Sequence, residues 1–133
     1  MTIIITVDDH MGTMFNHRRQ SRDRALIGRV LALAEGQTLR MSPYSAVLFP
    51  EDGNIAVSED FLADAEEDDI CFVEDADILP YSEQITRLFL FRWNRDYPAD
   101  TFLPLALDGW QMVGSEEFPG SSHERITMEE YIP

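Results

Sequence analysis

Strand-like and helix-like patterns alternate along this chain at the spacing of βαβ units. Residues 2–8 are β-branched and almost continuously apolar, which predicts a buried strand. Residues 22–35 carry apolar side chains along one stripe and predict a helix that is capped by Ser21 and ended by Gly36. Over a length of 133 residues, this alternation predicts one α/β domain spanning 1–133, with a mostly parallel four- to five-stranded sheet and helices on its faces.

The remaining patterns supply the other predicted elements. Further strands are predicted at Thr38–Ser42, Asp69–Glu74, Thr101–Leu107 and Trp110–Val113. Helical segments are predicted as a turn at Tyr44–Phe49, a short helix from Ser58 to Ala65, and a long amphipathic helix over 81–95.

The composition restricts the classes of partner. The chain has a formal net charge of −15, and its 10 basic residues are all arginine. Because an acidic surface repels a phosphate backbone, we expect no general binding to DNA or RNA. The apolar runs are too short to span a membrane. The single cysteine, Cys71, has no partner for an internal disulfide and is expected to be buried and inert, which indicates the cytoplasm.

Acidic residues accumulate between Arg40 and Arg87, where the chain has no basic residue, and are densest within 51–77. One interpretation is a solvated face that keeps the protein soluble. The other is a surface that binds a basic host protein or mimics DNA. The sequence leaves both open.

An arginine-rich loop between the first strand and the first helix contains the first group of candidate site residues. Parallel strands end at one edge of a sheet, and ligands bind in the crevice outside their carboxyl ends. Backbone N–H groups at a helix start, together with arginine side chains, suit a phosphate or carboxylate. The predicted anion-binding residues are Arg18, Arg19, Gln20 and Ser21. The alternative is that the arginines neutralise neighbouring acids.

Asp8 and Asp9 follow the first strand and are predicted as catalytic residues and metal ligands. Paired carboxylates before the imidazole of His10 could hold a divalent ion, Mg²⁺ or Mn²⁺, or exchange a proton. The alternative is that both acids cap the following turn.

Two later segments complete the candidate site. His123 is predicted as a general acid or base, because histidine titrates near neutral pH, and Glu124 is placed with it as a catalytic candidate. Asn94, Arg95 and Ser122 are predicted to bind the ligand. The structural alternatives are a helix end for the first segment and a capping box for the second, where a serine precedes Glu124 by three residues.

Several short segments together resemble a known family over almost the whole length of the chain. They are Val7-Asp8-Asp9, Phe15-Asn16, Arg18-Arg19-Gln20-Ser21 with Asp23, Tyr44-Ser45-Ala46, Cys71-Phe72-Val73-Glu74, Trp93-Asn94-Arg95 with Tyr97-Pro98, and Gly120-Ser121-Ser122-His123-Glu124. The chain resembles a family of small proteins of gut-bacterial mobile elements that are often labelled "ribonuclease Z". The chain lacks the His-x-His-x-Asp-His motif that holds zinc in true ribonuclease Z enzymes, so the resemblance implies a mobile-element context without that zinc chemistry.

Two functions follow as hypotheses. The first is a protein that binds, and as a small phosphohydrolase or nuclease-like enzyme hydrolyses, a phosphate-containing ligand such as a nucleotide or an RNA end. The second is a non-enzymatic acidic interaction protein of a mobile element, acting in counter-defence, nucleotide sequestration or DNA mimicry.

Overall fold

The computed structural model describes residues 1–51 and 53–133. Its strands are β1 (Thr2–Val7), β2 (Gly12–Phe15), β3 (Arg18–Arg19), β4 (Leu39–Met41), β5 (Ile55–Val57), β6 (Ile70–Val73), β7 (Arg87–Arg92), β8 (Thr101–Phe102), β9 (Gln111–Phe118) and β10 (Ile126–Ile132). Its helices are α1 (Arg24–Leu33), α2 (Pro43–Ala46) and α3 (Phe61–Asp64), with a 3-10 helix at Leu79–Gln84. Among these, no helix is long and apolar enough to cross a bilayer.

A seven-stranded sheet forms the centre of the molecule, in the order β5-β4-β6-β1-β7-β10-β9. The first five of these strands run parallel to one another, whereas β10 runs antiparallel to both β7 and β9. A smaller sheet has the order β3-β2-β8. The predicted α/β class with a mostly parallel sheet is therefore confirmed, although the sheet is wider than the predicted four to five strands.

The alternation of side chains along β1 divides the core into two layers. Ile4 packs on one face with Leu26 and Val30 of α1, while Ile3 and Ile5 pack on the other face with side chains of α3 and the 3-10 helix. Ile3 and Ile4 are completely buried, and each such side chain stabilises the fold by about 1.5–3 kcal/mol. Helices thus cover both faces of the sheet and hold in place the strands whose carboxyl ends carry the candidate site residues.

The best-predicted elements are β1 and α1. The strand predicted over 2–8 is the interior strand β1 (Thr2–Val7), and the helix predicted over 22–35 is α1 (Arg24–Leu33). Its N-cap is Asp23 and not the predicted Ser21, because the Asp23 carboxylate accepts the N–H groups of the first turn. Gly36 lies two residues beyond the C-cap, with a φ of +83°.

The predicted helix over 81–95 is wrong. The 3-10 helix ends at Gln84, and β7 follows, with Leu88, Phe89, Leu90 and Phe91 all buried. Phe89 and Phe91 pack in one core layer and Leu88 and Leu90 in the other, so both faces of β7 are covered, and the resulting continuous apolar run resembles a helix pattern.

The C-terminal third also differs from the prediction. The strand predicted at Thr101–Leu107 is limited to β8, and the one predicted at Trp110–Val113 continues as β9 to Phe118. The segment with capping-box spacing forms a loop that leads into strand β10 and starts no helix. Strands β2, β3, β5 and β10 were not predicted.

Candidate functional site

The Asp23 carboxylate holds the start of α1 against the loop formed by residues 120–123. It accepts hydrogen bonds from the backbone N–H groups of Ala25, Leu26 and Ser121, at 2.9, 3.2 and 3.0 Å, and of Ser122, at 2.9 Å. Burial raises the pKa of Asp23, but the hydrogen bonds from Ser121, His123, Ser122 and Leu26 outweigh burial and keep the pKa well below its usual value. Asp23 is therefore an ionised structural anchor.

His123 connects this anchor to two hydroxyl groups. Its Nδ1 lies 3.0 Å from Asp23 Oδ2, and its Nε2 lies 2.8 Å from the Tyr97 hydroxyl and 3.1 Å from Ser21 Oγ. Because an ionised carboxylate only accepts, Nδ1 donates to Asp23 and a neutral ring presents Nε2 as an acceptor. The ring stacks on Trp93 at 4.5 Å between centroids. With its side chain 2% exposed, His123 can exchange a proton with a ligand only through Tyr97 or Ser21.

Asp8 is likewise used by the protein itself. Its carboxylate accepts from the N–H groups of His10, Gly12 and Tyr97, at 2.9, 2.7 and 3.2 Å, and from Gln20 Nε2, at 3.3 Å. Burial raises the pKa of Asp8, but these four hydrogen bonds outweigh burial and lower it. These contacts are the ones expected if Asp8 caps the turn that follows β1, which is the structural alternative to a catalytic role.

A group of potential metal ligands surrounds Asp8. Ligand atoms of Asp8, His10 and Asp96 lie within 4.8 Å of one another, and His10 Nδ1 is 3.1 Å from Asp96 Oδ1. Asp9, which was predicted as the second ligand, is exposed and outside this group. Carboxylates with one imidazole suit Mn²⁺ better than Mg²⁺, because Mg²⁺ favours oxygen ligands.

Arg19 is engaged by an ion pair. Its Nε and one terminal nitrogen lie 3.0 and 3.1 Å from the two carboxylate oxygens of Glu74, and its guanidinium lies 4.2 Å from the centre of the Tyr44 ring. Burial lowers the pKa of Arg19, but the hydrogen bonds and charge of Glu74 outweigh burial and raise it. The Glu74 side chain is only 5% exposed, so this pair belongs to the folded scaffold. Arg19 therefore neutralises an acid of the protein, Glu74, which is the alternative to anion binding.

The other predicted residues are spread over separate places. Arg18 is exposed, Gln20 bonds to Asp8, and Ser21 bonds to His123. Asn94, Arg95 and Glu124 line a recess of about 440 Å³. Ser122 bonds to Asp23. The acidic stretch 51–77 is exposed at Glu66, Glu67 and Asp68, whereas Asp52 lies outside the described residues.

Two larger cavities lie near these groups. The first, called the switch-point crevice here, has a volume of about 640 Å³ and lies at the carboxyl ends of β1 and β6. It is lined by Ile5, Thr13, Met14, His17, Tyr44, Glu74, Asp75, Ala76, Asp77, Thr101, Phe102 and Pro104. The second, called the α1–α2 cleft here, has a volume of about 580 Å³. It is lined by Arg22, Asp23, Arg24, Ile27, Gly28, Leu31, Val47, Leu48, Pro50, Ser121 and Ser122.

Most residues of the α1–α2 cleft were missed by the sequence reasoning. The helix pattern predicted Ile27 and Leu31 only as packing residues, and Gly28 was not predicted as a site residue. A glycine in the middle of a predicted helix was the available signal, because such a glycine weakens the helix and calls for a packing or functional reason.

Of the comparisons with known proteins, the one with solved structures found similar chains. No protein-family model matches the chain, and no curated protein matches it. Among solved structures, the chain is similar to the dihydrofolate reductase of Enterococcus faecalis in complex with NADP(H) and RAB-propyl, with a TM-score of 0.68 and 11% sequence identity. The similarity covers 98% of this chain and 94% of that chain.

This similarity corrects the predicted function. Binding or hydrolysis of a phosphate-containing ligand is overturned, and so are the alternative of an acidic interaction protein and the description as a mobile-element hydrolase, because the fold matches an oxidoreductase over nearly its whole length. The resemblance to the small family labelled "ribonuclease Z" is not addressed by the match and stays a prediction. What the match shows of this chain is its fold, which is that of dihydrofolate reductase.

Proposed function

We propose that the protein binds a folate-type small molecule, meaning a flat heteroaromatic compound that carries carboxylate groups, in the α1–α2 cleft. The observation that carries the proposal is the cleft itself, whose volume of about 580 Å³ lies within the range of small-molecule sites, roughly 300–1,000 Å³. The fold gives the class of ligand, since the similar enterococcal enzyme is a dihydrofolate reductase.

The walls of the cleft suit an aromatic ring system. Ile27 and Leu31 line it from α1, and Val47, Leu48 and Pro50 line it from the segment after α2. Val47 is 74% exposed and adds apolar surface beside the other apolar walls of the cleft. Covering such side chains with a planar ligand would release water from apolar surface and favour binding.

Gly28 keeps the cleft open. A Cβ placed on Gly28 would have no atom within 4 Å, so no close packing in the protein requires a glycine there. Glycine inside a helix is less favourable than alanine by roughly 0.8–1 kcal/mol. This cost is explained if the space above Gly28 is needed by a ligand.

Arginines at the mouth of the cleft suit the carboxylates. Arg22 and Arg24 both line the cleft and are exposed, and neither makes an ion pair with an acid that the structure describes. A guanidinium group binds a carboxylate with two parallel hydrogen bonds. Asp23 forms part of the floor, but its oxygens already accept seven hydrogen bonds from the protein, so its role is to hold the cleft in shape.

We further propose that the protein works in the cytoplasm, where a lone buried thiol such as Cys71 stays reduced. Burial raises the pKa of Cys71 to about 11, which keeps it protonated and unreactive.

Calorimetric titration with folic acid tests the proposal. Saturable binding is expected for the wild type, and at least a tenfold loss for Gly28→Leu, whose side chain would fill the cleft. Ala32→Leu is the matched control, because Ala32 is exposed on the same helix and outside the cleft. Arg22→Ala should weaken folic acid but not unsubstituted pterin, which has no carboxylate. Equal affinity of the wild type and Gly28→Leu would contradict the proposal.

A further inference from the structure

The switch-point crevice carries a second inference, which concerns the cofactor. In an open α/β sheet, ligands bind where neighbouring strands send their connections in opposite directions. Here β1 connects through α1 to β4 on one side, whereas β6 connects past β1 to β7 on the other. The crevice therefore occupies the position where such a fold would receive a dinucleotide, and NADP(H) is bound by the enterococcal enzyme.

The charges around this crevice are unsuited to phosphate groups. Glu74, Asp75 and Asp77 line it directly after β6, and its lining among the described residues includes no arginine; the chain has no lysine. The guanidinium of Arg19 is engaged by Glu74. Phosphates placed there would therefore meet the exposed carboxylates of Asp75 and Asp77, with His17 as the one basic side chain in the described lining.

The start of α2, beside the crevice, offers few backbone donors to a phosphate. The helix α2 begins with Pro43, which has no N–H, and Ser42 at its N-cap accepts from the N–H of Ser45 and donates to Asp75, at 3.4 and 3.0 Å. A pyrophosphate approaches a backbone closely where glycine leaves room. The segment 74–77 after β6 contains no glycine, and Gly12 after β1 faces Ala99, Gln20 and Asp8, none of which lines the crevice.

We propose that the switch-point crevice excludes NADP(H), so this chain has the fold of a nicotinamide-dependent reductase without its cofactor site. The inference is independent of the proposed function, because the crevice and the α1–α2 cleft share no lining residue.

Calorimetric titration with NADPH tests this exclusion on three proteins. They are the wild type, the double variant Asp75→Asn with Asp77→Asn, and the control Glu66→Gln with Glu67→Gln, which removes the same charge from exposed positions outside the crevice. For the wild type and the control, we expect no saturation up to about 1 mM NADPH. For the crevice variant, we expect measurable, saturable binding, because the charges that repel the phosphates have been removed; no gain over the wild type would contradict the role of Asp75 and Asp77.

Two results would overturn the inference. One is saturable binding of NADPH to the wild type with a micromolar dissociation constant. The other is an equal gain of binding in both double variants, because that would trace the exclusion to the overall charge and not to the crevice. Folic acid is titrated into the same three samples as well. Because folic acid is proposed to bind in the α1–α2 cleft, its binding tests the proposed function separately from the exclusion of NADPH.

Discussion

Replacing Gly28 by alanine should stabilise the protein, although this residue lies in the middle of α1. The helix has ten residues, and an alanine in its interior is favoured over glycine by about 0.8–1 kcal/mol. The new methyl group would have no heavy atom within 4 Å, so no steric cost offsets this gain. The unfolding free energy of Gly28→Ala should therefore rise by about 0.5–1 kcal/mol.

Urea unfolding followed by far-ultraviolet circular dichroism measures this change. The midpoint should rise with an unchanged slope, because the surface exposed on unfolding stays almost the same. Heating should show a midpoint higher by roughly 2–5 °C for a domain of this size.

Gly36→Ala is the matched control with the opposite sign. Gly36 has a φ of +83°, a conformation that alanine adopts at a cost of about 1–2 kcal/mol. If Gly28→Ala destabilised the protein as Gly36→Ala does, the space above Gly28 would not be open, and the argument that a ligand occupies it would fail.

Two further predictions concern the buried carboxylate and the metal ligands. Because the pKa of Asp23 is lowered by folding from an ordinary 3.8, its contribution to stability is present above about pH 4 and is lost as the pH falls through the folded pKa. Asp23→Asn should cost about 2–3 kcal/mol at pH 7 and make the loss of stability in acid less steep, as measured by urea unfolding at several pH values; an unchanged pH profile would contradict this. At the Asp8–His10–Asp96 group, calorimetry should show binding of Mn²⁺ that His10→Ala removes and Asp9→Asn preserves. If only Asp9→Asn removed the binding, the ligands would instead be the pair predicted from the sequence, Asp8 and Asp9.

The sequence predicted the elements whose patterns are set locally. The β-branched run of β1 and the apolar stripe of α1 each identify one element without reference to the rest of the chain. The run Leu88–Phe91 in β7 could not be assigned in this way, because its continuous apolarity arises from packing on both faces of the sheet, which only the tertiary structure reveals.

The candidate site was less predictable because its contacts join distant parts of the chain. His123 reaches Asp23 across 100 positions, and Arg19 reaches Glu74 across 55. No local pattern distinguishes an arginine that awaits an anion from one that is paired with an acid so far along the chain. The polar residues named from the sequence lie in several separate places, and their distant partners determine that several of them hold the fold.

Amide chemical-shift mapping with folic acid both detects the ligand and locates it on the protein. In a ¹⁵N-labelled sample, we expect saturable shifts concentrated at Ile27, Gly28, Leu31 and Val47 of the α1–α2 cleft. Shifts concentrated instead around Thr101 and Asp75 of the switch-point crevice, or no saturable shifts at all, would contradict the proposed function.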